Sequence, residues 1–266
     1  MNGRLAHAKV NLALVVGPAR PDGKHEVTTV LQRVALADEI ELEPAEQLVV
    51  EGFEEDTLVR RALGLLAVEA GLEPAWSVRI DKRIPVAAGL GGGSSDAAAA
   101  LALANATLER PLHADVLARI GGRVGADVPF FLAEGPQLGE GDGSNLTGLQ
   151  LPQDFTVLLL VPFDEAKEST GAVYDAFDAR NGAEGYTERR SRLLSALATA
   201  DLAGLPPNDL ASSPNAGLLR KLGAFRADVS GAGPAVYGLF TNRSTAEAAG
   251  REIERLGRVW VGAPAW

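Results

Sequence analysis

The sequence contains no cysteine and only three histidines among its 266 residues. The absence of cysteine excludes disulfides, thiolate nucleophiles and cysteine-based zinc sites, and it fits a reducing cytoplasm. The three histidines are scattered along the chain, so they predict no metal site. We interpret His7 and His113, which lie in no motif, as structural or surface residues.

Basic residues are outnumbered, with 25 Lys and Arg against 35 Asp and Glu, a net charge of −10. Proteins that bind nucleic acid or anionic membranes need a basic face, so neither partner is predicted, although a small phosphorylated ligand is compatible. Long apolar runs are also missing. The stretch 97–104 is far shorter than the ~20 residues of a membrane span, and MNGRLAHAKVNL lacks the apolar core of a signal peptide. We expect a cytoplasmic protein.

The pattern of apolar residues mixes strands and helices without strict alternation, which predicts an α+β fold. A helix over 56–70 would begin after Asp56 as N-cap and end at Gly71. A break at LQLPQD suggests a division between residues 1–150 and 151–266. Strands are predicted at 7–16, 39–43, 48–51, 76–81, 155–161 and 235–240. Further helices are predicted at 94–106, 114–121, 169–179, 187–199, 214–222 and 244–256.

The stretch IPVAAGLGGGSSDAAAA joins a glycine-rich loop directly to a helix-forming alanine run. Glycines expose backbone N–H groups, and a helix start adds unpaired N–H groups and the positive end of the helix dipole. Together they form an anion site. Of Ser94 and Ser95, one could cap the helix while the other faces a phosphate or its magnesium ion.

Spacing separates this loop from two common phosphate motifs. No lysine precedes Ser94, so the stretch is not a Walker loop. A dinucleotide fingerprint starting at Gly89 fails because its third glycine would be Ser94. A structural turn between strand and helix is the remaining alternative.

Six motifs occur in the order found in one known family. They are AKVNLAL (8–14), DGKHE (22–26), IDKRIPVAAGLGGGSSDAA (80–98), GADVPFFL (125–132), Asn208–Asp209 and VSGAGPAVYGLF (229–240). The chain thereby resembles the GHMP kinases over nearly its whole length. The resemblance implies a two-lobed α+β fold, with an N-terminal ATP-binding lobe (1–150) and a C-terminal ferredoxin-like lobe (151–266).

The resemblance implies that Asp127 is the catalytic aspartate, accepting or orienting the proton of the attacking hydroxyl. Lys9 would keep that aspartate ionised and stabilise developing charge. From the residues alone, Asp127 could instead be a helix cap, and Lys9 and Asn11 could face solvent on an edge strand.

The cofactors implied are ATP and Mg²⁺, with Ser95 as the magnesium contact. In the family, Asn-Leu is frequent near the adenine where this chain has Thr57–Leu58. The residues expected to bind ATP are Thr57, Leu58, Lys82, Pro85, Val86, Ala87, Ala88, Gly89, Leu90, Gly91, Gly92, Gly93, Ser94 and Ser95.

The substrate end carries one departure from the family. His25 resembles the histidine that hydrogen-bonds a cytosine ring, but the aromatic residue usual before it is Lys24 here. Lys24 could contact a diphosphate instead. Unaided, a histidine in such a turn is simply exposed, the VSGAG loop is a tight turn, and Ser169–Thr170 is a helix N-cap. The residues expected to bind substrate are Asn11, Lys24, His25, Thr170, Gly231 and Gly233.

The motifs are most similar to those of family members that phosphorylate a cytidine-diphosphate-linked polyol, so we expect that substrate and ATP, and a monomer or homodimer. Because Lys24 departs from the pattern, a kinase of another small alcohol, of homoserine or mevalonate type, stays open. So does a non-catalytic nucleotide-binding relative, against which Lys9, Asp127 and the Ser94–Ser95 pair argue.

Overall fold

The computed structural model describes residues 2–53, 57–164 and 169–265, and it confirms the α+β class. The predicted cap Asp56 and the acidic run 54–56 lie outside the described residues. The strands are β1 (Asn2–Ala19), β2 (His25–Pro44), β3 (Val49–Glu51), β4 (Trp76–Asp81), β5 (Gln137–Gly141), β6 (Asn145–Gly148), β7 (Thr156–Pro162), β8 (Arg226–Val229), β9 (Val236–Phe240), β10 (Gly257–Gly262) and β11 (Pro264–Ala265). The helices are α1 (Leu58–Ala70), α2 (Gly92–Thr107), α3 (Ala114–Val124), α4 (Val128–Leu132), α5 (Thr170–Ala179), α6 (Tyr186–Ala198), α7 (Pro214–Lys221) and α8 (Arg243–Ile253).

Two compact units can be distinguished, and neither is a continuous stretch. The first contains the described residues of 1–8, 36–86 and 91–134, and the second those of 9–35, 87–90 and 135–266. The chain therefore enters each unit more than once. The family-like division at residue 150 stays a prediction.

The first unit packs helices α1–α4 against one another. Helix α1 buries Val59, Ala62, Leu63, Leu66 and Ala67, the spacing of one helical face, and it ends at Gly71 in the left-handed conformation as predicted. Helix α2 buries every residue from 95 to 101, so its neighbours surround it. Alanine suits these positions because its small side chain allows close approach on all sides. Strand β4 lies between β3 and residues 39–44 of β2.

The second unit contains an antiparallel four-stranded sheet in the order β10-β7-β9-β8. Helices α5–α7 follow β7 and helix α8 follows β9, which gives the strand and helix order of a ferredoxin-like fold. Its core joins Leu158 and Leu160 of β7 to Leu219 of α7 and Ile253 of α8. The same unit contains the pairing of β5 with residues 27–31 of β2 and with β6.

Strand β2 is the largest departure from the predicted elements, because residues 25–38 extend the expected strand 39–43. Four polar residues of this extension are buried, namely Thr28, Thr29, Gln32 and Arg33. The extension therefore lacks the alternation of buried apolar and exposed polar residues from which a strand is recognised. Among the described residues, α4, β5, β6, β10 and β11 were also not predicted. No helix in the described parts of the chain combines the length and apolar character needed to span a membrane.

Candidate active site

The glycine-rich stretch divides between the two units after Val86 and again after Leu90. In the first unit, Gly91 is left-handed (φ 70°) and helix α2 begins at Gly92. Helix geometry leaves the first N–H groups, those of Gly92, Gly93 and Ser94, without acceptors inside the helix. The first such bond is donated by Ser95 N to Gly91 O, at 2.9 Å. The helix start therefore presents three adjacent donors of the kind that bind phosphate.

The predicted serine cap of this helix is wrong. Because α2 begins two residues earlier than expected, Gly91 occupies the cap position and no side chain caps the helix. Ser94 and Ser95 lie within the first turn, where Ser94 is half-buried and Ser95 is 2% exposed. Ser94 is thus the more accessible hydroxyl, and the magnesium contact of Ser95 stays a prediction.

Lys82 lies beneath this first turn and is held by two buried aspartates. Its Nζ donates to Asp38 Oδ2 at 2.5 Å and to Asp96 Oδ2 at 2.6 Å. A Cβ added at Gly92 would lie 3.0 Å from Lys82 Nζ, so the glycine makes room for the ammonium. Both carboxylates are fully buried, and the Lys82 side chain is 13% exposed. Lys82 therefore contacts the helix start while its charge is already compensated.

The two aspartates differ in their hydrogen bonds. Asp38 Oδ1 also accepts from the backbone N–H groups of Arg83 and Ile84, at 2.6 and 2.7 Å. Asp96 Oδ1 is buried without a hydrogen-bond partner. Burial raises the pKa of Asp96 to about 8, against the opposing effect of Lys82. One cation and one negative charge then remain in the cluster, with a proton on Asp96 at neutral pH.

Asp96→Asn is expected to remove a pH dependence of folding stability. Because the folded pKa is raised, protonated Asp96 stabilises the fold fully below its ordinary value near 4, and this contribution is lost as pH rises towards 8. Between pH 6 and 8, wild-type stability should fall by up to about 1 kcal/mol per pH unit from this group. Urea unfolding at several pH values measures the slope. Equal slopes for wild type and Asp96→Asn would show that Asp96 is ionised throughout.

Asp127 lies in the turn that packs on the same helix start. A Cβ added at Gly125, two residues before Asp127, would lie 3.8 Å from Ser94 Oγ, which places Gly125 against the first turn of α2. Asp127 occupies the N-cap position of α4, but its side chain makes no capping hydrogen bond. Asp127 is therefore at the N-cap position, as the cap interpretation predicted, but its carboxylate does not cap the helix. Leu58, predicted near the adenine, also lies here, with Cδ1 3.2 Å from a Cβ added at Gly93.

Lys9 and Asn11 of β1 belong to the second unit and are buried, at 5% and 6% exposure. The solvent-facing alternative for this pair is therefore wrong. Lys9 Nζ donates to Asn11 Oδ1 at 2.7 Å, and Asn11 Nδ2 donates to Thr29 Oγ1 at 2.8 Å. Thr29 Oγ1 in turn donates to Ala13 O at 2.8 Å. These three hydrogen bonds fix the side-chain amide of Asn11 so that its oxygen faces the Lys9 ammonium.

The second glycine loop, residues 230–233, packs on the part of the first loop that belongs to the same unit. Ser230 Oγ donates to Gly89 O at 3.0 Å and accepts from Asn11 N at 3.4 Å. A Cβ added at Gly89 (φ 83°) would approach Ser230 O to 2.4 Å, so only glycine fits. Gly231 (φ 59°) lies against Lys9 and Asn11, whereas an added Cβ at Gly233 would meet Val229. The structure thus brings Gly231 to the lysine, and Gly233 only shapes the turn.

His25 stacks on Tyr174 of α5, with ring centroids 4.7 Å apart. Its Nε2 donates to Asp178 Oδ1 at 2.9 Å, and its side chain is 9% exposed. The alternative of a merely exposed histidine is therefore wrong. Tyr174 was not predicted from the sequence because it belongs to none of the motifs. Its position four residues after Thr170 was the only available signal. The ring pair offers an aromatic surface in the segment predicted to bind a base.

The remaining predicted substrate residues lie at the surface. Lys24 forms an ion pair with Asp142, and its hydrogen bond lowers the pKa of Asp142 to about 2. Thr170 is exposed at the first position of α5, and Ser169 Oγ caps that helix by accepting from Ala172 N at 3.1 Å. The N-cap alternative is therefore confirmed for Ser169. A diphosphate contact by Lys24 would have to compete with Asp142.

Comparison with known proteins assigns the fold. The family model "GHMP kinases N terminal domain" matches residues 57–135, and "GHMP kinases C terminal" matches residues 217–259. The 4-diphosphocytidyl-2-C-methyl-D-erythritol kinase of Rhodococcus jostii is 38% identical over 97% of this chain and 91% of its own. The chain belongs to the GHMP kinases. A kinase of the same name from an Anaeromyxobacter species is 40% identical over 94% of this chain and 85% of its own.

Solved structures support the same placement of this GHMP kinase. A crystal structure of 4-(cytidine 5'-diphospho)-2C-methyl-D-erythritol kinase covers 100% of both chains, with TM-score 0.83 and 31% identity. Homoserine kinase from Cytophaga hutchinsonii, at TM-score 0.75 and 17% identity, shares the fold. ATP is the phosphate donor of this kinase family. The predicted family is confirmed.

In this GHMP kinase, the structure arranges the predicted residues in three groups. Lys82, Leu58 and Ser94 lie around the start of α2, with Gly125, two residues before Asp127, against Ser94. Lys9 and Asn11 lie with Gly89 and Gly231, and His25 lies with Tyr174. Val86 and Ala87 are exposed, and Thr57 is exposed before α1. Sequence reasoning missed Asp38 and Asp96, the partners of Lys82, because lone aspartates carry no spacing signal.

Proposed function

We propose that this chain transfers the γ-phosphoryl group of ATP to the 2-hydroxyl of 4-diphosphocytidyl-2-C-methyl-D-erythritol, in the non-mevalonate (MEP) pathway of isoprenoid biosynthesis. The observation that carries the proposal is the likeness, over the full length of both chains, to a solved kinase of that name. Curated relatives with 38% and 40% identity bear the same name. Kinases with this fold act on different acceptors, so the fold alone does not identify the substrate. The sequence identity to relatives that share one name is the stronger support for this acceptor.

We assign the acceptor hydroxyl to Asp127 and Lys9. Asp127 lies at the N-cap position of α4 without capping it, and a carboxylate is a group that can accept or orient the proton of a hydroxyl. The Lys9 ammonium is held by Asn11 Oδ1, so its charge is fixed in position before any substrate arrives. The proton moves from the 2-hydroxyl to Asp127 as the oxygen attacks the γ-phosphorus of ATP, and the bond from that phosphorus to the bridging oxygen breaks, so that ADP leaves. The ammonium stabilises the developing negative charge.

We assign the ATP phosphates to the start of α2. Its N–H groups at residues 92–94 and the half-buried hydroxyl of Ser94 form a polar surface suited to phosphate oxygens. Mg²⁺ bound with ATP would supply charge neutralisation between the β- and γ-phosphates, with Ser94 or the predicted Ser95 as its protein contact. In the described part of the chain no group of three or more acidic or histidine residues is arranged to hold a metal. A single serine hydroxyl beside the phosphates is compatible with Mg²⁺, because this ion is usually held by one or two protein ligands together with substrate phosphates.

We assign the cytosine to the His25–Tyr174 pair. The chain lacks the aromatic residue usual before the histidine, and Tyr174 supplies a ring in contact with His25. Because Asp178 accepts from His25 Nε2, the neutral imidazole would present Nδ1 as an acceptor for an amino group. Tyr174 thus offers the stacking surface that Lys24 cannot.

Tyr174→Ala is expected to raise the KM for the cytidine substrate about 5–150-fold, because stacking of a base on an aromatic ring contributes ~1–3 kcal/mol. The KM for ATP should stay unchanged. Tyr174→Phe keeps the ring and should behave as wild type. Steady-state kinetics with each substrate varied in turn measures both constants. A Tyr174→Ala enzyme with wild-type KM would remove Tyr174 from the cytidine site.

The function is tested by coupled ADP release with the cytidine-linked polyol, homoserine and mevalonate, each at equal concentration. We expect turnover with the first acceptor only. Turnover with another alcohol would reassign the substrate, and ATP binding without turnover on any alcohol would indicate a non-catalytic relative. A cytoplasmic location and a monomeric or homodimeric state stay predictions.

A further inference from the structure

Asn208 belongs to the Asn208–Asp209 motif, to which the proposed function assigns no role. It is 8% exposed, and both hydrogens of its amide are used. Nδ2 donates to Val229 O at 3.0 Å and to Gly231 O at 2.7 Å, while Oδ1 accepts from Leu210 N at 2.8 Å. A buried amide with its bonds satisfied holds the backbone it contacts in a single arrangement.

The backbone that Asn208 contacts is the second glycine loop, at the residue that lies against Lys9. An added Cβ at Gly231 would lie 3.6 Å from Lys9 Nζ and 3.5 Å from Asn11 Oδ1, both ordinary contacts. Gly231 therefore forms one wall of the space that contains the ammonium. The carbonyl of the same residue accepts the shortest bond made by Asn208.

Asn208 is itself anchored by a buried arginine. Arg226 donates to Leu205 O at 2.6 Å and to Pro206 O at 2.9 Å, which fixes the segment leading into Asn208. Asp228, 3.8 Å from the guanidinium, accepts from Asn208 N at 2.9 Å. Both the backbone and the side chain of Asn208 are thus held in place before any ligand binds.

We propose that Asn208 is a positioning residue for Lys9, acting through the carbonyl of Gly231. This inference rests on the proposed function for the part that Lys9 plays in catalysis. Without the Asn208 amide, the loop 230–233 keeps its tie to Gly89 through Ser230, but the carbonyl of Gly231 is free to turn. The wall beside the ammonium then moves, and Lys9 is no longer held at one distance from the reacting hydroxyl.

The test is a double-mutant cycle with a matched control. Asn208→Ala should lower kcat about 10–100-fold, with the KM for ATP within about twofold, since small misplacements of a catalytic group cost this much. Asn105→Ala is the control, because Asn105 is also buried and bridges the backbone N and O of a single residue, Leu112. It should lose a similar amount of stability and keep its kcat. In a Lys9→Met background, Asn208→Ala should lower kcat by less than about twofold further.

Equal losses from Asn208→Ala with and without Lys9, or equal kcat losses in the two asparagine variants, would overturn the proposal. Asn208→Ser, which keeps one donor, should fall between wild type and Asn208→Ala and serves if the alanine variant does not fold. The cycle uses whichever alcohol the wild type phosphorylates, so a wrong substrate assignment does not affect it.

A second measurement needs no substrate. The Lys9 side-chain resonances, assigned by their loss in Lys9→Met, should shift or broaden in Asn208→Ala and stay in place in Asn105→Ala. Unshifted Lys9 resonances would overturn the positioning role. Full activity of Lys9→Met would instead overturn the catalytic role that the proposed function assigns to Lys9. The resonances would then test by themselves whether Asn208 positions the Lys9 side chain.

Discussion

Asp127→Asn is expected to lower kcat about 10²–10⁴-fold, the contribution of a positioned proton acceptor, while ATP affinity stays within about twofold. Asparagine keeps the size of the side chain at the position before α4, and no capping hydrogen bond of α4 is lost with the carboxylate. Steady-state kinetics with the cytidine-linked acceptor, and equilibrium binding of ATP, separate the two effects.

Asp115→Asn is the matched control, because Asp115 is an exposed aspartate in the first turn of another helix of the same unit. Its carboxylate pairs at the surface with Arg119, at 3.4 Å, and its loss should leave kcat unchanged. If Asp127→Asn turned over like Asp115→Asn, Asp127 would have no part in proton transfer.

Lys82→Met is expected to destabilise the fold by about 3–5 kcal/mol, the typical result of removing one partner from a buried ion pair. Asp38 and Asp96 are fully buried, so the loss of their shared ammonium leaves the charge of Asp38 uncompensated where water cannot reach it and removes the donor to Asp96 Oδ2. Although burial lowers it, Asp96 and Asp38 raise the pKa of Lys82, so the wild-type cluster keeps its cation. Urea unfolding at pH 7 gives the change in the free energy of unfolding.

The neighbouring residue provides the control for this cost. Arg83 also contacts two acidic residues, Asp81 and Glu39, but its side chain is 51% exposed. Exposed ion pairs contribute little to stability because water screens their charges, so Arg83→Met should be nearly neutral. Similar losses for the two variants would mean that the Lys82 cluster is solvated rather than buried.

Sequence patterns predicted the elements that have one apolar face. Strand β4 alternates Trp76, Val78 and Ile80 with polar residues, and α1 combines an apolar stripe with a terminating Gly71, so both were found. Strand β2 escaped because Thr28 and Thr29 are buried where the pattern expects apolar residues. Burial of polar side chains depends on partners from distant segments, which a single sequence does not reveal.

The candidate site shows the same division. The motif order identified the family and the segments, because glycine loops and a helix start have recognisable composition. The partners of the motif residues were not predictable, since Asp38 reaches Lys82, and Ser230 reaches Gly89, across long stretches of chain. The error on the serine cap has a local cause, because Gly91 turns the chain left-handed and starts α2 before Ser94.

The interleaving of the two compact units bears on how this kinase can be divided. Strands β1 and β2 each contribute residues to both units, and a four-residue segment between Val86 and Gly91 belongs to the second unit alone. A cut near residue 150 would therefore sever Lys9 and Gly89 from the ferredoxin-like sheet with which they are grouped. A piece containing residues 151–266 would lack Lys9 and Asp127, and a piece containing residues 1–150 would keep both but lose the loop 230–233 that packs on Gly89.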